Sequence, residues 1–285
     1  MPFINQLKLK TMDRNLRALF FKSSLVVAVA ILNAQLYLSC SSCLSQTAAP
    51  FSSELKIERR SYKSAGHDII TEWFLPPGSV TIRDTKNKEL KPVLIILHGS
   101  GGIDQTGGFF RDMADRIARA GNIVVIVHYL DRNNLEWASN SQMSANFQTW
   151  LQTVRDAITF VKEQADIDPA RISLFGHSLG AQLALHEAAN DLRIHSIIDM
   201  AGCFVLPTSA IRRMPEILIW HGTADRVVPL TKEKALVKVL ERTHTKYREE
   251  IFSGADHAFQ KVDMNRLVKS ATDFLNDGVK QGSAK

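Results

Sequence analysis

Five consecutive aliphatic residues, Val93-Leu94-Ile95-Ile96-Leu97, run directly into His98-Gly99-Ser100-Gly101-Gly102. A strand with one wet face alternates apolar and polar residues. An unbroken run instead suits a strand covered on both faces, as in a parallel sheet between two helical layers. Ile123–Val127 is a second such run, and 69–75, 172–175, Ile194–Met200, 217–220 and 246–252 are further strand candidates. Between these runs the apolar spacing becomes helical. Phe110, Met113, Ala114, Ile117 and Ala118 share one face, and Gly121 follows as a left-handed helix stop. Val154, Ile158 and Val161 mark a helix over 147–165, and 179–190, 231–242 and 262–277 are three more. Strands alternating with helices imply an α/β fold, with a mostly parallel central sheet and helices on both faces. With no internal repeat, residues 50–285 read as a single domain whose elements fall between about 54 and 278.

Residues 1–49 read differently. The chain carries a net charge of +6, of which residues 1–22 supply +4 through Lys8, Lys10, Arg14, Arg17 and Lys22 against Asp13. The following run at 24–38, SLVVAVAILNAQLYL, is apolar but short, and Asn33 and Gln35 interrupt it. Basic residues, a short apolar run and then small residues is the order of a secretory signal, whereas a spanning helix needs about 20 apolar residues. Met12 gives a more usual basic segment and is an alternative start. Tyr37-Leu38-Ser39-Cys40 resembles a bacterial lipoprotein signal, with Cys40 as the lipid-bearing residue. Cleavage elsewhere in 39–49 and an uncleaved anchor are the competing readings. Residues 39–53 read as a tether. The expectation is an exported protein: periplasmic, secreted or attached to a membrane through the leader or Cys40. The nearly neutral remainder does not fit nucleic-acid binding. Three cysteines are too few for a disulfide scaffold.

The chemistry-bearing residues lie where strands end. Gly176-His177-Ser178-Leu179-Gly180 is G-x-S-x-G between a strand and a helix. That context throws a serine hydroxyl clear of the sheet on a tight turn. A serine nucleophile needs a base, itself held by an acid, in the order Ser, Asp/Glu, His for this architecture. Asp225 follows one strand in His221-Gly222-Thr223-Ala224-Asp225, and His257 follows the last in Gly254-Ala255-Asp256-His257. Asp199 is the alternative acid. The backbone N–H groups of Leu179 and Ser100, with Gly101 next, are candidates to hold an oxyanion. His98, His177 and His221 adjoin glycines at backbone turns and read as structural. His128-Tyr129 is a candidate pocket wall, while His186 and His195 have no evident partner. The polar stretch 131–149, with Trp137 and Phe147, and residues 203–213 read as insertions too short for a cap domain. The glycines at 99–102 lack the Gly-Lys-Ser/Thr of a phosphate loop. No paired His or Cys spacing suggests a metal.

The stretches LIILHGSGG, LFGHSLGAQLAL, ILIWHGTADRVVP and FSGADHAF resemble, in the same order, the dienelactone-hydrolase-like members of the α/β-hydrolase superfamily. The resemblance implies the α/β-hydrolase fold, with Ser178, Asp225 and His257 as nucleophile, acid and base. The founding enzymes use cysteine where this chain has Ser178, a departure that favours a serine esterase over dienelactone cleavage. The expected activity is hydrolysis of a small-molecule carboxylic ester through an acyl-enzyme, without a cofactor. A prolyl-oligopeptidase-like peptidase and a non-catalytic envelope protein of the same fold are the alternatives. If Cys40 is lipidated, Cys40→Ser moves the protein from the membrane to the soluble fraction, because stable anchoring depends on the lipid. Cell fractionation checks this, and N-terminal mass analysis should find residues 1–22 absent from the mature chain.

Overall fold

The computed structural model describes residues 56–77 and 90–282. The expected leader, the tether and Cys40 lie outside the described residues. Within the described residues no helix is long and apolar enough to cross a membrane.

Eight strands form one sheet among the described residues: β1 (Lys56–Ser64), β2 (His67–Leu75), β3 (Lys91–Leu97), β4 (Ile123–Val127), β5 (Ile167–His177), β6 (Ile194–Met200), β7 (Glu216–Gly222) and β8 (Tyr247–Phe252). Their order is β1-β2-β4-β3-β5-β6-β7-β8. β1 and β2 are antiparallel, as are β2 and β4; β3 to β8 are mutually parallel. Among the described residues five α-helices accompany the sheet: α1 (Gly102–Arg119), α2 (Asn140–Lys162), α3 (Leu179–Ala188), α4 (Leu230–Arg242) and α5 (Met264–Gly282).

The unbroken aliphatic runs are explained by two cores. In β3, Val93, Ile95 and Leu97 face a layer holding Trp150 and Val154 of α2, Leu183 of α3 and Leu236 of α4. Leu94 and Ile96 face the other layer, with Phe110, Met113 and Ile117 of α1 and Leu267, Ala271 and Phe274 of α5. No side of such a strand meets water, so alternation has no physical cause. The order also locates the site. From β3 the chain crosses to β4 on one side, then returns past β3 to β5. The helices after β3 and β5 therefore leave on opposite faces and open a crevice between those two strand ends.

Three expectations shift. β1 was not foreseen; it pairs with β2 along nine residues through a turn at Ala65 and Gly66, both at positive φ. The helix expected over 147–165 begins at Asn140, so 131–149 is not one long loop. A short 3-10 turn at Tyr129–Asn133 is followed by α2, and Phe147 is buried within that helix. Ser139 starts α2 with a capping box: its backbone N–H donates to Gln142 Oε1 at 2.9 Å, and its Oγ accepts the Gln142 N–H. α1 likewise begins at Gly102, a turn and more before its apolar face becomes regular.

Ser139→Ala removes that cap and should lower stability by about 1 kcal/mol. Urea unfolding should show a lower midpoint at an unchanged slope.

Candidate active site

β5 ends at His177, and the chain turns at Ser178 with φ 54° and ψ −116°, a region that L residues avoid. The Ser178 N–H donates to the Met200 carbonyl at 3.0 Å, and its own carbonyl accepts the Gln182 N–H at 3.0 Å. The turn is so tight that neither flank tolerates a side chain. A Cβ at Gly176 would lie 2.4 Å from Ala181 Cα, and one at Gly180 would lie 2.1 Å from the Leu97 carbonyl oxygen. Those collisions are the physical reason for glycine on both sides of this serine.

The elbow aims Ser178 Oγ at His257 Nε2, 2.8 Å away. His257 stands in the loop after β8, and its Nδ1 lies 2.7 Å from Asp225 Oδ2. Asp225 follows β7 and its carboxylate is fully buried. Its Oδ1 accepts the N–H groups of Val227 and Val228, both at 2.8 Å. A carboxylate held this way can only accept, so Nδ1 carries the ring proton and Nε2 is free to accept the Ser178 hydroxyl proton. The three residues singled out from the sequence are thus joined in one chain of hydrogen bonds, from three strand ends.

The loop after β3 packs against the elbow: a Cβ on Gly99 would lie 3.5 Å from Ser178 Cβ. Its shape is fixed from behind. The Gly99 carbonyl accepts the Gly102 N–H at 3.1 Å and contacts His98 Nδ1 at 2.8 Å, while the Ser100 carbonyl accepts the Ala138 N–H at 2.8 Å. A trans peptide sets N–H opposite C=O, so the N–H of Ser100 points away from the partners of the Gly99 carbonyl. Leu179 is the first residue of α3, where a backbone N–H has no earlier turn to bond.

Other sequence candidates are placed elsewhere. The Asp199 carboxyl is wholly buried beneath the turn at Ala201 and Gly202, where burial pushes its pKa up to about 7. It shares its side of β6 with Ile197, in the α3 and α4 layer, and His257 Nδ1 is taken by Asp225. Tyr129, a candidate pocket wall, is fully buried. Its hydroxyl donates to the His98 carbonyl at 2.8 Å and its ring stacks on His98, so it braces the glycine loop rather than lining a pocket. His128 is buried against Glu72. Arg111 forks onto the Glu72 carboxylate at 2.6 and 2.7 Å, fastening α1 to β2. Although burial opposes it, these bonds hold the Glu72 carboxyl well below the usual carboxylate range. His221 donates from Nε2 to the Val228 carbonyl at 2.8 Å, tightening the Asp225 turn. His186 does have partners: its Nε2 accepts the N–H groups of Val205 and Leu206.

Beside the elbow lies a cleft of about 170 Å³. It is bounded by Gln105, Phe109 and Phe110 of α1, by His177 and Met200, and by Gln260 after β8. None of its lining side chains carries a formal charge, His177 being neutral because burial pushes its pKa down to about 4. Sequence reasoning missed Gln105, Phe109 and Gln260. The available signal was that α1 begins directly at the glycine loop, which brings its first turns beside Ser178.

A parallel sheet with a strained serine between β5 and α3, at the crevice where strand order reverses, defines an α/β-hydrolase. The chain belongs to the dienelactone hydrolase family, whose pattern matches residues 80–279. Among solved structures, the dienelactone hydrolase-like promiscuous phosphotriesterase P91 from metagenomic libraries superposes with a TM-score of 0.64 at 14% identity, over 79% of this chain and 98% of that one. The thermophilic esterase Est2 of the planctomycete Thermogutta terrifontis, with propionate bound, gives 0.58 at 18% identity, over 78% and 94%. An acylaminoacyl peptidase of Pyrococcus horikoshii gives 0.60 at 14% identity, over 78% of this chain but 41% of that one. At such identities the likeness is one of fold. A search of the curated proteins finds no match.

Burial also pushes the pKa values of His98 and His186 from 6.5 down to about 4, as for His177. The unfolded chain binds protons at these histidines first, so their contribution is intact above pH 6.5 and is lost as pH falls toward 4. Urea unfolding across this window should show stability declining with acidity, and His186→Asn should flatten part of the decline.

Proposed function

We propose that the protein is a serine hydrolase of carboxylic esters, working through Ser178, His257 and Asp225 and a covalent acyl-enzyme. The observation that carries this reading is the unbroken relay from Ser178 Oγ through His257 to a buried Asp225 carboxylate. His257 Nε2 takes the Ser178 proton as Oγ bonds to the ester carbonyl carbon, and the N–H groups of Leu179 and Ser100 receive the oxyanion. Collapse of the tetrahedral species breaks the bond to the alcohol oxygen, which leaves with the proton from His257. Water, deprotonated by His257, then attacks the acyl-enzyme. Collapse of the second tetrahedral species frees the acid, and the proton returns to Ser178. Asp225 holds the imidazole tautomer and stabilises the imidazolium at each step.

The neutral cleft supports an uncharged substrate group on that side. A cavity of about 150 Å³ accommodates benzene, so a cleft of about 170 Å³ suits a short chain or a single ring. The founding enzymes of the family use a cysteine where this chain has Ser178; that departure, together with the uncharged cleft lining, favours a simple ester here.

Ser178→Ala should lower kcat on the order of 10⁴–10⁶-fold, and Asp225→Asn on the order of 10⁴-fold through the wrong imidazole tautomer. Asp199→Asn should stay near wild type. Steady-state rates on p-nitrophenyl acetate, butyrate and octanoate test all three, and the series should favour the shorter acyl groups. Wild-type turnover by Ser178→Ala, or failure of a serine-directed phosphonate to label Ser178, overturns the reading.

A further inference from the structure

We infer that His177 is a positioning residue: through the hydrogen bond from its Nε2–H to the His257 backbone carbonyl, it holds the loop that carries the base in register with the nucleophile. The inference rests on the ester-hydrolase reading and adds to it a residue outside the Ser178–His257–Asp225 relay.

His177 is the last residue of β5 and pairs with Met200, so its backbone is part of the rigid sheet. Its ring is almost completely buried and touches three separate pieces of the site. Nε2 lies 2.9 Å from the His257 carbonyl oxygen, and the two rings lie 5.1 Å apart, tilted by 40°. On the other edge, Nδ1 lies against the glycine loop, so close that a Cβ at Gly99 would fall 2.9 Å from it. One imidazole therefore spans the nucleophile strand, the loop after β3 and the loop after β8.

The chemistry of the ring says why it is an imidazole. Nδ1 is buried with no hydrogen-bond partner. A buried acceptor left unpaired is costly, and a phenyl ring of similar volume would fill the space without it. What imidazole supplies beyond packing is one N–H, and that N–H is spent on the main chain of the base. Burial keeps the ring neutral, with the proton on the nitrogen that faces an acceptor. Asp225 holds the His257 ring at Nδ1, and the bond from His177 holds the main chain that carries the ring. Together the two grips set the 2.8 Å approach of Nε2 to Ser178 Oγ.

The test compares His177→Phe, which keeps a ring without a donor, with His177→Gln, whose amide N–H reaches to about the same place. Rates are measured on p-nitrophenyl butyrate and divided by the sites titrated with a p-nitrophenyl phosphonate, so that misfolded protein does not count. His177→Phe should lose about 10- to 100-fold in kcat per titrated site, as a misplaced base costs. His177→Gln should recover most of that loss. If His177→Phe does not fold, His177→Met makes the same comparison with Gln. Wild-type kcat per site in the donor-less variant, or equal impairment in Gln, overturns the inference. Turnover by Ser178→Ala in the same assay would instead overturn the hydrolase reading itself.

Discussion

The left-handed backbone of Ser178 costs on the order of 1–3 kcal/mol, and the rest of the structure is arranged so that no cheaper conformation is open to it. β5 is bonded to β3 on one side and β6 on the other, so it cannot shift to relieve the turn. The Met200 carbonyl fixes the Ser178 N–H, and α3 begins at the next residue. Glycines at 176 and 180 let Ala181 and the Leu97 carbonyl close in from either side. Strain that would relax in a mobile loop is held here by two packed layers, which is why the hydroxyl points at His257 before any substrate arrives.

The same rigidity organises the histidines. Of those at the sheet's carboxyl edge, His257 keeps part of its ring open to solvent, while His98, His177 and His221 are buried and spent on main-chain contacts. Each grips a different strand-end loop. Burial moves the two kinds of pKa in opposite directions to the same end: it lowers those of His98 and His177 and raises that of the Asp199 carboxyl, one strand from Ser178, so each group favours its neutral form. The Asp225 carboxylate is buried too, and its oxygens are engaged by the N–H groups of Val227 and Val228 and by His257.

Much of this was legible in the sequence because the physics is local. A strand buried on both faces must be apolar throughout, and an elbow crowded on both flanks must have glycine there; Val93 to Leu97 and Gly176 to Gly180 follow directly. Asp225 and His257 could be found because the fold fixes their order along the chain. β1 stayed hidden because it lacks an apolar stripe: Ile57 faces solvent, while the inward residues include Glu58, Arg60, Tyr62 and Ser64 rather than aliphatics. The first turns of α2 are polar, so apolar spacing begins only at Phe147; Ser139 and Gln142 were the better signal. The cleft joins α1 to the loop after β8, across about 150 residues of chain, and no local pattern reports such a meeting.

Among the described residues β1 forms one edge of the sheet and β8 the other. A sheet edge offers an unpaired row of amides and carbonyls to any extended chain that drifts past. On β1 the outward positions include Arg59 and Lys63, tied to Glu72 and Asp68 of its neighbour yet largely bathed in solvent. A stranger settling along that edge would have to strip water from both cations before gaining its first ladder bond. The strand that the sequence concealed best, by being so charged, thereby guards one edge of the described sheet against growing into its neighbours.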